Sequence, residues 1–378
     1  MVANVILGIL AGLSVVLLLW QWAVAARFPL HQRSAAHAFP PAVTLLKPLK
    51  GADASTEDCL RSWLRQDYTG RVQVLFGVAS EEDPVCGIVR RLLTEFPDSD
   101  AQLVICGPLL GANAKVSKLA ELEGKARHEI VVVSDADVRV PPDFLANLVE
   151  PLRQPEVGLV NCFYRLANPS TLAMHYEALA VNADFWSQVL QGRSLKPLDF
   201  ALGAVMATRR KQLEQMGGFR ALVDCLADDY QLGNRIARLG HGIALCPVVV
   251  ECWEKPMGWV AVWKHQLRWA RTIRVCQPAP YFFSVLSNPT LWPLLWVAVR
   301  PGPWSIGCVA VALIARVGAV FDLQRRLNRS RSHGRFFWLT PLKDLLQAAL
   351  WLAAFSGNRV EWRGERLRLR SDGTLVRS

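Results

Sequence analysis

Residues Val5 to Ala26 carry no formal charge, and no other stretch restricts the fold so sharply. Hydrocarbon offers no water to backbone N–H and C=O groups, so a run of this length is confined to helix. At 1.5 Å per residue it covers roughly the 30 Å of a bilayer core. A cleaved signal peptide would carry a basic region ahead of the apolar run. None is written before Val5, so an anchor is expected over residues 1–30. Arg27 and Arg33 follow at once, which by the positive-inside rule leaves the rest of the chain cytosolic.

Composition supports a membrane attachment. Of 378 residues, 52% are hydrophobic and 14 are Trp, and the apolar residues pile up at the two ends. The length holds one domain of roughly 200–250 residues plus smaller segments. The nine cysteines are odd in number, scattered and without a CxxC pair, which reads as reduced packing residues rather than a disulfide frame or zinc site. Net charge is +11. The basic residues cluster beside apolar segments, so the expected partner is a lipid bilayer with anionic headgroups and not nucleic acid.

Between the ends, strand and helix patterns alternate. VTLLKPLKG is followed by a helix from Ser55 to Gln66 with a Ser55/Asp58 cap pair, then VQVLFGVA, a helix through Val85 to Phe96, QLVICG, and a helix from Asn113 to Ala126. This βαβ rhythm predicts a mixed α/β sheet flanked by helices over residues 40–255. His31 to Pro41 reads as a linker. No GxGxxG or GxxxxGK[ST] stands at a strand end, so a nucleotide here would be held by acids, lysine and a metal. A mostly helical region, Ser170 to Gln191, carries His175, Glu177, Asp184 and Trp186, either as part of a pocket or as ordinary core.

Residues 256–278 predict a Trp-bearing basic amphipathic helix suited to a membrane surface. Residues 279–357 hold three apolar blocks, Tyr281 to Val299, Trp304 to Phe321 and Phe336 to Phe355. The first two suit one out-and-back crossing. Lys343 and Asp344 are costly at a bilayer centre, so the third is expected to be interfacial or re-entrant. Arg325, Arg326, Arg329, Arg331 and Arg335 mark the loop before it as cytosolic, and residues 358–378 read as a cytosolic hairpin tail.

The candidate site lies in Glu129 to Val140, EIVVVSDADVRV. Four β-prone apolar residues, Ile130 to Val133, precede Asp135 and Asp137. Open α/β sheets bind ligands at the carboxyl ends of their strands, and this acid pair can supply oxygen ligands to a hard cation holding a diphosphate. The alternative is a strand end whose aspartates only cap a turn. Asp228 and Asp229 likewise open a helical pattern, where carboxylates also answer the helix dipole.

The ordered set VTLLKPLKG, PDSDAQLVICG, GANAKVSKL, SDADV, LADDYQLG and a late RW resembles the ceramide glucosyltransferase group and the bacterial hopanoid-biosynthesis glycosyltransferases, across roughly residues 40 to 275. The resemblance implies the GT-A fold and an inverting hexosyltransferase. Such an enzyme moves one sugar, glucose or N-acetylglucosamine, from a UDP-sugar donor to a hydroxyl of a membrane lipid acceptor, a ceramide or a hopanoid polyol. It further implies Mg2+ or Mn2+ as cofactor and a multi-pass protein of a bacterial inner membrane with its catalytic domain in the cytosol. A processive polysaccharide synthase and a non-catalytic membrane scaffold are the alternatives.

Carried over by position, the resemblance places Asp100 near uracil or ribose, Lys47 and Pro48 in a nucleotide-binding loop, and Lys115 in a basic stretch before the metal strand. Asp135 matches the family's second aspartate; the family's metal strand often lacks a second acid, whereas this chain has Asp137, so Asp135 and Asp137 are expected as metal ligands. Asp229 becomes the base, with Asp228 second. The family's late motif reads Gln or Arg, two free residues, then Arg-Trp, whereas this chain has His265, Gln266, Leu267, Arg268, Trp269. Either His265 takes that role or Gln266 substitutes for it. Arg268 and Trp269 either contact diphosphate and acceptor or anchor an interfacial helix.

Overall fold

The computed structural model describes residues 1–34, 40–329, 332–362 and 365–377. Arg331 and the middle of the 31–41 linker lie outside these. The βαβ pattern builds one eight-stranded sheet from β1 (Val43–Pro48), β2 (Val72–Val78), β3 (Asp100–Ile105), β4 (Ile130–Ser134), β5 (Val138–Arg139), β6 (Val157–Leu166), β7 (Val205–Arg209) and β8 (Gly242–Cys252). Their order is β3-β2-β1-β4-β7-β6-β8-β5. β3, β2, β1 and β4 run parallel, and β7 then pairs antiparallel with both β4 and β6. β1 and β4 are buried along their whole lengths, as continuous apolar runs covered on both faces require. Ser55 does not cap its helix. The Asp53 carboxylate instead accepts from Ser55 N at 2.9 Å and Thr56 N at 3.0 Å.

The Val5–Ala26 run lies inside one helix, Val2–Arg27. This helix and Pro303–Asn328 are long and apolar enough to cross a membrane, and a pair, Pro278–Ser287 with Leu291–Val299, passes the same test as a span bent by 54°. The directions of all three follow from side-chain contacts. Trp22 Nε1 donates to Asp322 Oδ2 at 2.7 Å, and His31 Nε2 meets Arg326 O at 3.0 Å, so Val2–Arg27 and Pro303–Asn328 run parallel and end together. Trp296 Nε1 donates to Asn4 Oδ1 at 3.0 Å, which puts the far end of the bent pair beside the start of the first helix. The bent pair therefore leads away from the Arg27 end of the first helix, and Pro303–Asn328 returns to it.

The third apolar block forms a 15-residue helix, Thr340–Ala354. Its charges are not isolated. Arg316 forks onto Asp184 at 3.0 and 2.8 Å and onto Asp344 at 2.9 and 2.7 Å. Lys343 contacts Asp184 and lies 2.6 Å from Asp344, and Thr290 Oγ1 donates to Asp344 at 2.6 Å. Two cations and two anions cancel, which is what makes their burial tolerable. Asp184 enters from a single turn of π-helix, Ala180–Phe185, that interrupts the region expected as one helix.

The tail is more than a hairpin. Arg359–Trp362, Glu365–Leu369 and Leu375–Arg377 form a three-stranded sheet that buries Val360, Leu367, Leu369 and Leu375 with Leu226. Leu375 N donates to Asp224 O at 2.6 Å, and Leu226 N to Gly373 O at 3.3 Å. The last residues of the chain therefore brace the loop just ahead of Asp228.

Replacing Arg316 with Met should destabilise the fold by roughly 3–5 kcal/mol, because it leaves two buried carboxylates with one cation. Thermal unfolding of the detergent-solubilised protein checks this, and an unchanged midpoint would remove the network from the supports of the fold.

Candidate active site

β4 ends at Ser134, and the next residues turn across the carboxyl end of the sheet, with Val138 N donating to Asp135 O at 3.4 Å. Register fixes what stands opposite. Val43–Leu46 pair with Ile130–Val133, so Lys47 comes level with Ser134. Its ammonium donates to Ser134 Oγ at 3.2 Å and to Asp135 O. Lys47 is fully buried, 5.2 Å from the centre of the Trp63 ring, and desolvation pulls its pKa down to about 8. This lysine thus holds the backbone of the acid turn. Pro48 closes β1, and the loop beyond it is tied by Gly51 N to both oxygens of Asp83, at 2.9 and 3.0 Å.

Lys115 is set by a helix start. Asn113 caps Ala114–Lys125 by accepting from Lys115 N and Val116 N, and its amide donates to Cys225 O at 2.7 Å. The cap therefore also grips the stretch leading to Asp228. Lys115 Nζ lies 2.8 Å from Asp135 Oδ1 and 3.0 Å from Asp228 Oδ2. It joins the two acid pairs that the sequence keeps far apart.

Asp229 reaches the cluster because Gly203 has no side chain. A Cβ there would stand 2.6 Å from Asp229 Oδ2. Asp135, Asp137, Asp228 and Asp229 outnumber Lys47 and Lys115, and the excess is visible in their acidities. Burial, with Asp135 beside it, pushes Asp137 up to about 6. Burial, with Asp228 beside it, pushes Asp229 up to about 6. Asp228 Oδ2 is buried, and its partner is the Lys115 ammonium. Surplus carboxylate charge at the end of the sheet is a donor set that fits a hard divalent cation.

His265, Arg268 and Trp269 lie on one helix, Trp259–Cys276. Both alternatives for the late motif converge on one carboxylate. Glu177 Oε1 meets His265 Nδ1 at 2.7 Å and accepts from Gln266 Nε2 at 2.8 Å. The His265 ring lies 4.7 Å from that of Trp269, which also packs against Phe185 at 6.4 Å. Glu254 follows β8 and lies within electrostatic reach of Asp137, His265 and Arg268; burial pushes its pKa up to about 7. Sequence reasoning leaves Glu177 between pocket and ordinary core and misses Glu254 and Asp83. The acids after β2 in ASEEDP were the available signal for Asp83.

Asp100 is placed elsewhere. It is the first residue of β3, so about 17 Å of strand separates it from the carboxyl end of the sheet, where Asp135 stands. Its half-exposed carboxylate pairs with Arg127, just ahead of β4. The structure does not bring Asp100 to the acid cluster, because the PDSD turn precedes its strand rather than following it.

A mannosyltransferase from Pyrobaculum calidifontis, solved with GDP-Man and Mn2+, shares the fold, with TM-score 0.53, 22% identity, 92% of this chain and 98% of that one. This is the GT-A architecture. Ceramide glucosyltransferase 3 of Caenorhabditis elegans is 22% identical over 58% of this chain and 48% of its own length. A probable glycosyltransferase of Bacillus subtilis is 25% identical over 75% of this chain and 68% of its own length. The chain spans about half the length of the curated ceramide glucosyltransferases of Caenorhabditis elegans that it matches. The family model for glycosyl transferase family 21 matches residues 5–375, and the chain belongs to that family.

Proposed function

We propose that the protein is a membrane-bound hexosyltransferase that moves one sugar from a UDP-sugar to a lipid hydroxyl with inversion. The observation that carries this reading is the Lys115-bridged cluster, in which Asp135 and Asp137 meet Asp228 and Asp229 at the carboxyl end of the sheet. Family membership supports the reaction class, and ceramide glucosyltransferase relatives support a lipid acceptor of the ceramide or hopanoid polyol kind. Arg27, Arg325 and Arg326 close the two parallel helices at one end, which by the positive-inside rule supports a cytosolic catalytic unit.

Mg2+ or Mn2+ held by Asp135 and Asp137 would neutralise charge growing on the leaving diphosphate. Asp229 takes the proton of the acceptor hydroxyl as that oxygen attacks the anomeric carbon and the bond to the diphosphate breaks. A carboxyl poised near 6 suits this task better than an ordinary one, since it is ionised at neutral pH yet basic enough to accept. Asp228 is engaged with Lys115, and that division separates the two adjacent acids. Arg268 and Trp269 lie on the surface helix, where we place the diphosphate and the incoming lipid.

Asp229→Asn should retain UDP-sugar affinity and lose transfer by a factor of about 10²–10⁴, the usual worth of a general base. Substantial turnover in that variant would sink the assignment. Asp135→Asn should abolish the Mn2+ dependence of UDP binding in calorimetry, and equal affinity with and without metal in the wild type would overturn the metal reading. Gly203→Ala should damage kcat more than KM, since its methyl displaces the Asp229 carboxylate. The rate at saturating metal should fall as pH drops through about 6, because Asp229 is then protonated and cannot accept. A flat profile from pH 7.5 to 5 would speak against it.

A further inference from the structure

Glu177, Glu254 and His265 come from three separate elements and converge beside the acid cluster. Glu177 belongs to the helix Leu172–Leu179, Glu254 follows β8, and His265 sits on the surface helix. One ligand atom from each lies within 4.8 Å of the others. A shell with bonds of roughly 2.0–2.2 Å has edges near 3 Å, so the three atoms stand within about 2 Å of a closed shell.

Glu177 is the decisive residue. It is fully buried, and while Oε1 is engaged by His265 and Gln266, Oε2 has no hydrogen-bond partner. Glu254 Oε2 is buried and unpartnered in the same way. A buried carboxylate oxygen without a donor costs several kcal/mol in principle, and two beside each other add repulsion. Among the described residues, the ion-pair partner of Glu177 is His265. Arg268 contributes field at Glu254. A divalent cation would satisfy both oxygens at once.

We propose that Glu177, Glu254 and His265 form a second divalent-cation site, separate from Asp135 and Asp137. The imidazole in this donor set favours Zn2+ or Mn2+ over Mg2+, which prefers oxygen alone. The ion pins the surface helix to the mouth of β8 and to Leu172–Leu179, and so fixes the direction in which Arg268 and Trp269 face the acid cluster. It is a positioning site, not the seat of the chemistry.

The test counts ions rather than turnover, so it is read separately from the transferase reading. Full-length protein in detergent is dialysed against Mn2+, and bound ions are counted by electron paramagnetic resonance. Wild type should hold two per chain. Glu177→Gln and Glu254→Gln should each hold one, as should Asp135→Asn, and Glu177→Gln combined with Asp135→Asn should hold none. The half-buried Glu254 gives a variant whose folding does not depend on the fully buried helix position, and unchanged thermal unfolding confirms that the fold is intact. One ion in the wild type, or two retained in both Glu177→Gln and Glu254→Gln, would overturn the site. A wild type that binds both ions yet transfers no sugar would count against the transferase reading alone.

Discussion

The contact on which the site depends is the one Lys115 makes with Asp135 and Asp228. Four carboxylates cannot be gathered at a sheet mouth without repelling one another, and a buried ammonium between two of them offsets the cost of the gathering. Its position is over-determined. Asn113 caps the helix that carries it and bonds the Cys225 carbonyl, while Leu226 is packed by the C-terminal sheet. Three distant parts of the chain therefore fix one nitrogen atom, and that atom sorts the acids. Asp228 is paired, and Asp229 is left on the bare backbone of Gly203 with its affinity for protons raised.

The same logic of compensated charge recurs where water is scarcest. Arg316, Lys343, Asp184 and Asp344 form a neutral group that joins Pro303–Asn328, Thr340–Ala354 and the π-helical turn. Charges that argue against a membrane segment one at a time become, as a set, the means by which apolar helices are held in one arrangement. The first helix is attached differently, through Gln21 to Ser187 at 2.6 Å and Trp22 to Asp322. It is thus bound both to the catalytic side and to the second long helix.

Much of this was legible in the sequence because period and composition report local structure. Ile130 to Val133 announce a doubly covered strand, and Asp228 with Asp229 announce a helix start. Lys47 was recognised, but its task, holding the backbone of the acid turn, depends on a register that no local pattern states. A motif fixes order along the chain and not the end of the strand at which a residue stands, and Asp100 stands at the start of β3. Glu177 and Glu254 belong to no motif; each gains meaning only from the element folded against it. Lys343 and Asp344 looked costly for the same reason, since their partner Asp184 lies far away in sequence.

The π-helical turn at Ala180–Phe185 has a further consequence. An extra residue in a helix offsets everything beyond it by about 100° around the axis relative to a regular continuation. Glu177 before the turn can therefore look toward the surface helix while Asp184, at its end, looks toward the apolar helices. One continuous rod presents a polar contact to the surface helix and another to the apolar helices. The irregular turn acts as a phase shifter, and it lets a single segment serve two environments whose geometries a uniform helix would not satisfy together.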